Sequence, residues 1–177
     1  MSNIFIGFIF IFFNFTLNLG GAKIGLIPDF IGYIMISRGL LELNQESPMF
    51  MKVKPYATGM AVYTGVLYAL DLLGITALGG GLGILLGIIA LIISLYITYM
   101  IIMGILEMEK VYNTNLNGNT LKGIWTLRAV FSVLIYTSFF FPIGVAIFAV
   151  LSFIIAIYFL VIFNQSKNLY YGMKNRY

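Results

Sequence analysis

Between residues 124 and 163 the chain runs for forty residues with one charged side chain, Arg128. A membrane-spanning α-helix needs about 20 mostly apolar residues, with a range of roughly 17 to 25, so this stretch is long enough for two. Pro142 and Gly144 lie near its middle, where a proline removes a backbone donor and clashes with the preceding turn. The pattern predicts two spans, 124–141 and 143–163, joined by a tight hairpin. The composition extends the point to the whole chain, because 61% of its 177 residues are hydrophobic and only 9% charged. A soluble domain averages about half and about a quarter. Lipid is the solvent such a chain requires.

The same ruler finds four more spans, at 4–19, 28–43, 56–73 and 82–106. The expected fold is all-α: a single polytopic transmembrane domain over residues 1–177, built as a six-helix bundle. The first span lacks a basic leading segment and a small-x-small cleavage site, and reads as a mature helix rather than a signal sequence. Orientation follows from lysine and arginine, which favour cytoplasmic loops. The N-terminus, the 44–55 and 107–123 loops and the C-terminal tail share one side and hold Lys52, Lys54, Lys110, Lys122, Lys167, Lys174 and Arg176. The opposite side has Lys23 as its one cation. Seven against one places both termini in the cytoplasm. Arg38 and Arg128 then lie near cytoplasmic helix ends, where long basic side chains snorkel to the headgroups.

Several chemistries are excluded. The chain has no cysteine and no histidine, which removes disulfides, thiolate or imidazole zinc sites and histidine acid–base catalysis. The net charge of +4 is scattered in short loops rather than clustered, so no nucleic-acid partner is expected. The serine–histidine elbow of rhomboid proteases and the HExxH zinc motif are missing. An intramembrane aspartyl protease needs paired carboxylates in a desolvated site, and neither Asp29 nor Asp71 has the Gly-x-Gly-Asp context. GGGLG at 79–83 has no following lysine, so it is no phosphate loop. The expectation is a protein that is not an enzyme, with no catalytic residue, metal site or cofactor.

The polar residues that remain collect toward the outer ends of the first three spans. Asn14 and Asn18 are four apart in the first, Lys23 lies beyond it, and Asp29 and Tyr33 are four apart in the second. Thr64, Tyr68 and Asp71 follow at i, i+4 and i+7 in the third, so each set occupies one helical face. Two readings compete. In one, Pro28 and Asp29 start a helix and the carboxylate meets its free N–H groups and positive dipole end, while the asparagines bond between helices. In the other, these eight residues line an outward-facing polar pocket for a small ligand or ion. A separate pattern concerns packing. Small residues recur every four positions at Ala57, Ala61, Gly65 and Ala69, and again at Gly79, Gly83, Gly87, Ala90 and Ser94. Such ladders let membrane helices approach closely, which predicts that the third and fourth spans pack together.

The stretch NLGGAKIGLIPDFIGYIMISRGLLEL resembles a pattern in small uncharacterised multispanning membrane proteins of Gram-positive bacteria. The matching residues are Asn18, Leu26, Pro28, Asp29, Phe30, Ile31, Gly32, Tyr33, Gly39 and Leu40, about a sixth of the chain. The resemblance implies a bacterial cytoplasmic membrane and carries no activity. In size and span number the chain is also similar to the substrate-capturing subunits of energy-coupling-factor transporters. Their alanine-x-x-x-alanine motif in the first helix is absent from IFIGFIFIFFNFTLNL, so that likeness is architectural. The expected function is a ligand-binding or transport-related membrane subunit using the outer pocket. The alternative is an accessory or immunity-type protein acting through helix contacts with another membrane protein. Its partners are the lipid bilayer and either another membrane protein or a second copy.

Overall fold

The computed structural model describes residues 1–13, 16–19, 22–25, 28–74, 81–138 and 141–175, with the backbone alone described at 16–19, 22–25, 136 and 142. Six helices follow in order: α1 (Ser2–Phe12), α2 (Asp29–Glu42), α3 (Pro48–Leu72), α4 (Gly81–Tyr112), α5 (Gly118–Thr137) and α6 (Pro142–Lys174). The fold is all-α apart from a short antiparallel hairpin between α1 and α2, formed by β1 (Thr16–Leu19) and β2 (Ala22–Gly25). The chain divides into two compact units, Met1–Ile101 and Ile102–Tyr177.

Among the described residues, two helices are long and apolar enough to cross a membrane, α4 and α6. Both leave large apolar side chains uncovered, with Leu82 69% and Ile143 79% exposed. Contiguous exposure of that kind is untenable in water and ordinary in lipid. The helices differ from the expected spans mostly at their ends. α3 starts at Pro48 rather than 56, because the Ser47 side chain accepts the Met49 N–H at 3.1 Å and Pro48 takes the first helical position, a strong start signal. Thus Lys52 and Lys54 lie in helix rather than loop. α4 runs on to Tyr112 instead of 106, α5 spans Gly118–Thr137 instead of 124–141, and α6 continues to Lys174 instead of 163. The expected 107–123 loop shrinks accordingly.

The first span needs the largest correction. A helix over 4–19 was expected, yet α1 ends at Phe12 and residues 16–19 are strand. The reason is legible in FNFTLNL, residues 13–19, where apolar and polar side chains alternate strictly before Gly20-Gly21. Alternation followed by a glycine pair is the pattern of a strand entering a hairpin. Register pairs Asn18 with Lys23 and Leu17 with Ile24. At about 1.5 Å per residue, α1 and α2 reach roughly 17 and 21 Å, short of the roughly 30 Å hydrocarbon core.

In the first unit the tightest packing is between α1 and α2. A Cβ on Gly7 would stand 2.6 Å from the Gly32 carbonyl oxygen, and one on Gly32 would stand 2.8 Å from the Gly7 oxygen. One heptad on, a Cβ on Gly39 would be 2.8 Å from the Ile4 nitrogen. Backbone therefore lies on backbone, with Ile4, Phe8, Ile36 and Leu40 buried beside the crossing. An Asn3 amide donating to the Glu42 carboxylate fastens one end. α3 packs antiparallel on α2, with Ser37 and Thr58 hydroxyls 3.0 Å apart and Phe30 against Tyr68 at 5.5 Å between ring centroids. Gly65 faces Phe30, whose Cβ would be 3.6 Å from an added methyl. At Gly65, then, the small-residue ladder of α3 turns to α2 rather than to α4; of the second ladder, Gly79 lies outside the described residues.

In the second unit α5 and α6 form the hairpin around Pro142, with Phe131 and Phe148 at 6.0 Å. Phe159, Phe163, Leu121 and Met108 are fully buried.

Close glycine packing yields a sharp contrast. Gly32→Ala and Gly7→Ala each force backbone apart and should lower thermal stability, by about 1–3 kcal/mol for overpacking. Gly123→Ala adds a methyl with nothing within 4 Å and should raise stability by roughly 0.5–1 kcal/mol. Melting curves in detergent would measure all three; equal effects would contradict the crossing.

Candidate functional site

The eight outer polar residues divide three ways. Asn14 lies outside the described residues, as do the side chains of Asn18 and Lys23, whose backbones are cross-strand partners. Asp29 and Asp71 lie at one end of the first unit: Asp29 opens α2, Asp71 lies in the last turn of the antiparallel α3, and β2 runs beside α3. Phe30 meets Gly65 and Tyr68, so Asp71 stands roughly a turn beyond the level of Asp29 at about 1.5 Å per residue. The remaining three are committed to the fold. Tyr33 is buried at 3% exposure, the Thr64 hydroxyl donates to the Met60 carbonyl at 2.7 Å, and Tyr68 stacks against Phe30.

Asp29 itself fits the helix-start reading closely. Pro28 precedes α2 with an extended backbone, and Asp29 is the half-buried acidic residue of the first turn. There the dipole and the free N–H groups favour a negative charge.

Open space lies elsewhere in the first unit, between α3 and α4. A groove of about 510 Å³ is lined by Pro55, Tyr56, Gly59, Met60 and Tyr63 of α3 and by Leu86, Ile89, Ala90 and Ile93 of α4. Each set occupies one helical face. Two features keep the groove open. A Cβ on Gly59 would meet nothing within 4 Å, and the facing Ala90 is too small to fill the gap. The polar groups its side chains offer are the Tyr56 and Tyr63 hydroxyls. Tyr56 also packs edge-on against Tyr96 at 5.0 Å, which closes one end. Pro55 lies inside α3 and cannot donate to the Met51 carbonyl, a local weakness in the ladder. Sequence reading passed over this groove because it placed Pro55 in a loop. The available signal was a proline, a glycine four residues on and an alanine on the facing helix, with no bulky side chain to fill between them.

Two further cavities belong to the second unit. One of about 840 Å³ lies between the 114–117 loop and the end of α6, at Gln165, Asn168, Leu169, Gly172 and Met173. A smaller polar one of about 370 Å³ is lined by Glu109, Asn113, Asn115, Asn117 and Asn119 with their threonine neighbours. Asn113, Asn115, Asn117 and Gly118 have the spacing that opens a calcium loop, but with amides in place of carboxylates. The carboxylate among them is occupied: Glu109 Oε1 accepts the N–H groups of Leu116 at 2.7 Å and Gly118 at 2.8 Å. It thereby caps α5 and holds a loop in which Asn113 and Asn117 take positive φ of 48° and 63°. Among the described residues, no group of three or more metal-ligating side chains is present.

No protein-family description matches the sequence, and neither a curated protein nor a solved structure matches it.

Two substitutions separate architecture from binding. Asp29→Asn keeps an acceptor at the start of α2 and loses the dipole term, so it should cost about 0.3–1 kcal/mol. A larger loss would give the carboxylate a further role. Glu109→Ala removes two charge-assisted bonds, each worth roughly 1.5–3 kcal/mol, and should lower thermal stability well beyond Glu109→Gln, which still accepts one. Proteolysis of the 113–117 loop should rise in the same order.

Proposed function

We propose that the chain is a multi-pass protein of a bacterial cytoplasmic membrane that works by binding rather than catalysis: a ligand-binding or transport-related subunit. We place its binding locus in the lateral groove between α3 and α4. The observation that carries this reading is the open, apolar character of that groove, with Gly59 facing empty space. The outer polar set supports it less, since Tyr33, Thr64 and Tyr68 serve packing. An open apolar groove on a membrane helix pair faces hydrocarbon and selects hydrophobic ligands.

Six membrane segments with both termini inside remain the topology we favour. α3 and α5, at 25 and 20 residues, are about 37 and 30 Å long, enough to join α4 and α6 in crossing. α1 and α2 are shorter, and β1 adds about 13 Å to α1. The orientation does not depend on how deep this pair reaches. A helix pair that enters and returns leaves α3 starting on the side of the N-terminus, whether it crosses fully or is re-entrant. The cations that mark the cytoplasmic face now sit on helix ends: Lys52 and Lys54 on α3, Lys110 on α4, Lys122 on α5, Lys167 and Lys174 on α6.

The second reading is an accessory or immunity-type protein that contacts another membrane protein. It is favoured by the bare start of α4, where a methyl on Gly81 would meet nothing within 4 Å and Leu82 and Leu85 are exposed.

The chain has no cysteine, so single-cysteine variants test both parts. Asn119→Cys should react with an impermeant maleimide only after permeabilisation, and Lys23→Cys in intact cells; the reverse would overturn the topology. A spin label on Gly59→Cys in proteoliposomes should collide more with oxygen than with a water-soluble nickel chelate. Preferential collision with the chelate would mean a water-filled cleft and defeat the groove assignment.

A further inference from the structure

The α3/α4 groove has a charged mouth. Lys52 lies on the α3 face that carries Tyr56, Gly59 and Tyr63, at spacings of four, three and four residues. It is exposed, Lys54 beside it is half-buried, and no acidic residue occurs in α3 before Asp71. Glu42, from the end of the neighbouring helix, is held by Asn3. Along the axis Lys52 stands about 10 Å from Gly59, the separation of a headgroup from the upper part of its chains.

We propose that this groove holds the acyl chains of one anionic glycerophospholipid from the cytoplasmic leaflet, with its phosphate met by Lys52 and Lys54. The assignment rests on the reading that the groove faces lipid and that α3 starts on the cytoplasmic side. Three observations choose this occupant. The first is volume. At roughly 30 Å³ for a water-sized group, the 510 Å³ groove takes about 17 methylene-sized units. A docked helix about 10 Å across, over the roughly 12 Å from Pro55 to Tyr63, displaces about 900 Å³. A helix could rest on the groove but not enter it. The second is lining: apart from two tyrosine hydroxyls the walls are hydrocarbon, as acyl chains need. The third is charge. Two lysines stand at the mouth and none of the groove residues is charged, so attraction is confined to the headgroup level. Anionic lipids are concentrated in the cytoplasmic leaflet, and each juxtamembrane lysine favours them by a measurable factor.

Native mass spectrometry of the detergent-purified full chain, titrated with phosphatidylglycerol or phosphatidylcholine of identical chains, tests the proposal. Wild type should retain one phosphatidylglycerol with about 25-fold preference, the factor for two lysines, and the preference should shrink at high salt. The double variant Lys52→Gln with Lys54→Gln should bind both lipids equally. Gly59→Phe, which grows into open space and should fold, should lose both. Equal retention of the two lipids by wild type overturns the headgroup assignment, and undiminished binding to Gly59→Phe overturns the groove as the site. An oxygen-exposed spin label at position 59 with no lipid retained would sink the lipid proposal while leaving the lipid-facing groove intact. A chelate-exposed label would remove the groove reading on which it rests.

Discussion

Backbone contact between α1 and α2 at Gly7 and Gly32 is the constraint on which the first unit depends. In lipid, apolar side chains gain little from leaving the solvent, so helices associate by close dispersion contact, hydrogen bonds and shape. Glycines at the crossing, with Gly39 a heptad further on, let the two axes approach until carbonyl oxygens nearly touch the opposing chain. Ile4 and Ile36 fill the flanks of that contact and are fully buried. α3 is then laid against the pair through Phe30, Ser37 and their partners. Widening the first contact by one methyl displaces the surface on which α3 rests.

The polar residues follow from the same scarcity of water. A backbone donor at a helix end in a membrane protein must find a partner, and this chain supplies partners locally. Ser47 serves the start of α3, Glu109 the start of α5, and Asp29 places its charge at the start of α2. Ionisable groups in greasy surroundings invite functional readings. Here Glu109 demonstrates that a carboxylate among asparagines can be wholly architectural.

How much of this was legible depended on which period the eye applied. Apolar runs and Pro142 located α4, α5 and α6 to within several residues at most ends, because length and hydropathy alone decide them. The polar continuations to Tyr112 and Lys174 were missed, since helix persists past the hydrocarbon where tertiary contacts hold it. Asn14 and Asn18 were read at a spacing of four as one helical face, although FNFTLNL is equally a period-two pattern and the glycine pair after it settles the choice. The tight α1/α2 crossing was present as Gly7, Gly32 and Gly39, but spread over two segments it forms no ladder. The α3/α4 groove was hidden for a different reason. A site made by side chains that are absent leaves no residue to point at.

That absence also explains why the groove survives in a membrane fold. A gap in a water-soluble core forfeits dispersion contacts, because nothing outside can fill it. A gap open to hydrocarbon is filled by the solvent itself, so Gly59 opposite Ala90 costs little stability and selection is free to keep it. What distinguishes a used groove from a tolerated one is whether its surroundings discriminate among solvent molecules. Tyr56 and Tyr96 close one end, and the same helical face continues to a lysine. Hydrocarbon walls alone would accept any chain; a cationic mouth accepts some headgroups over others, and that preference is what turns a space into a site.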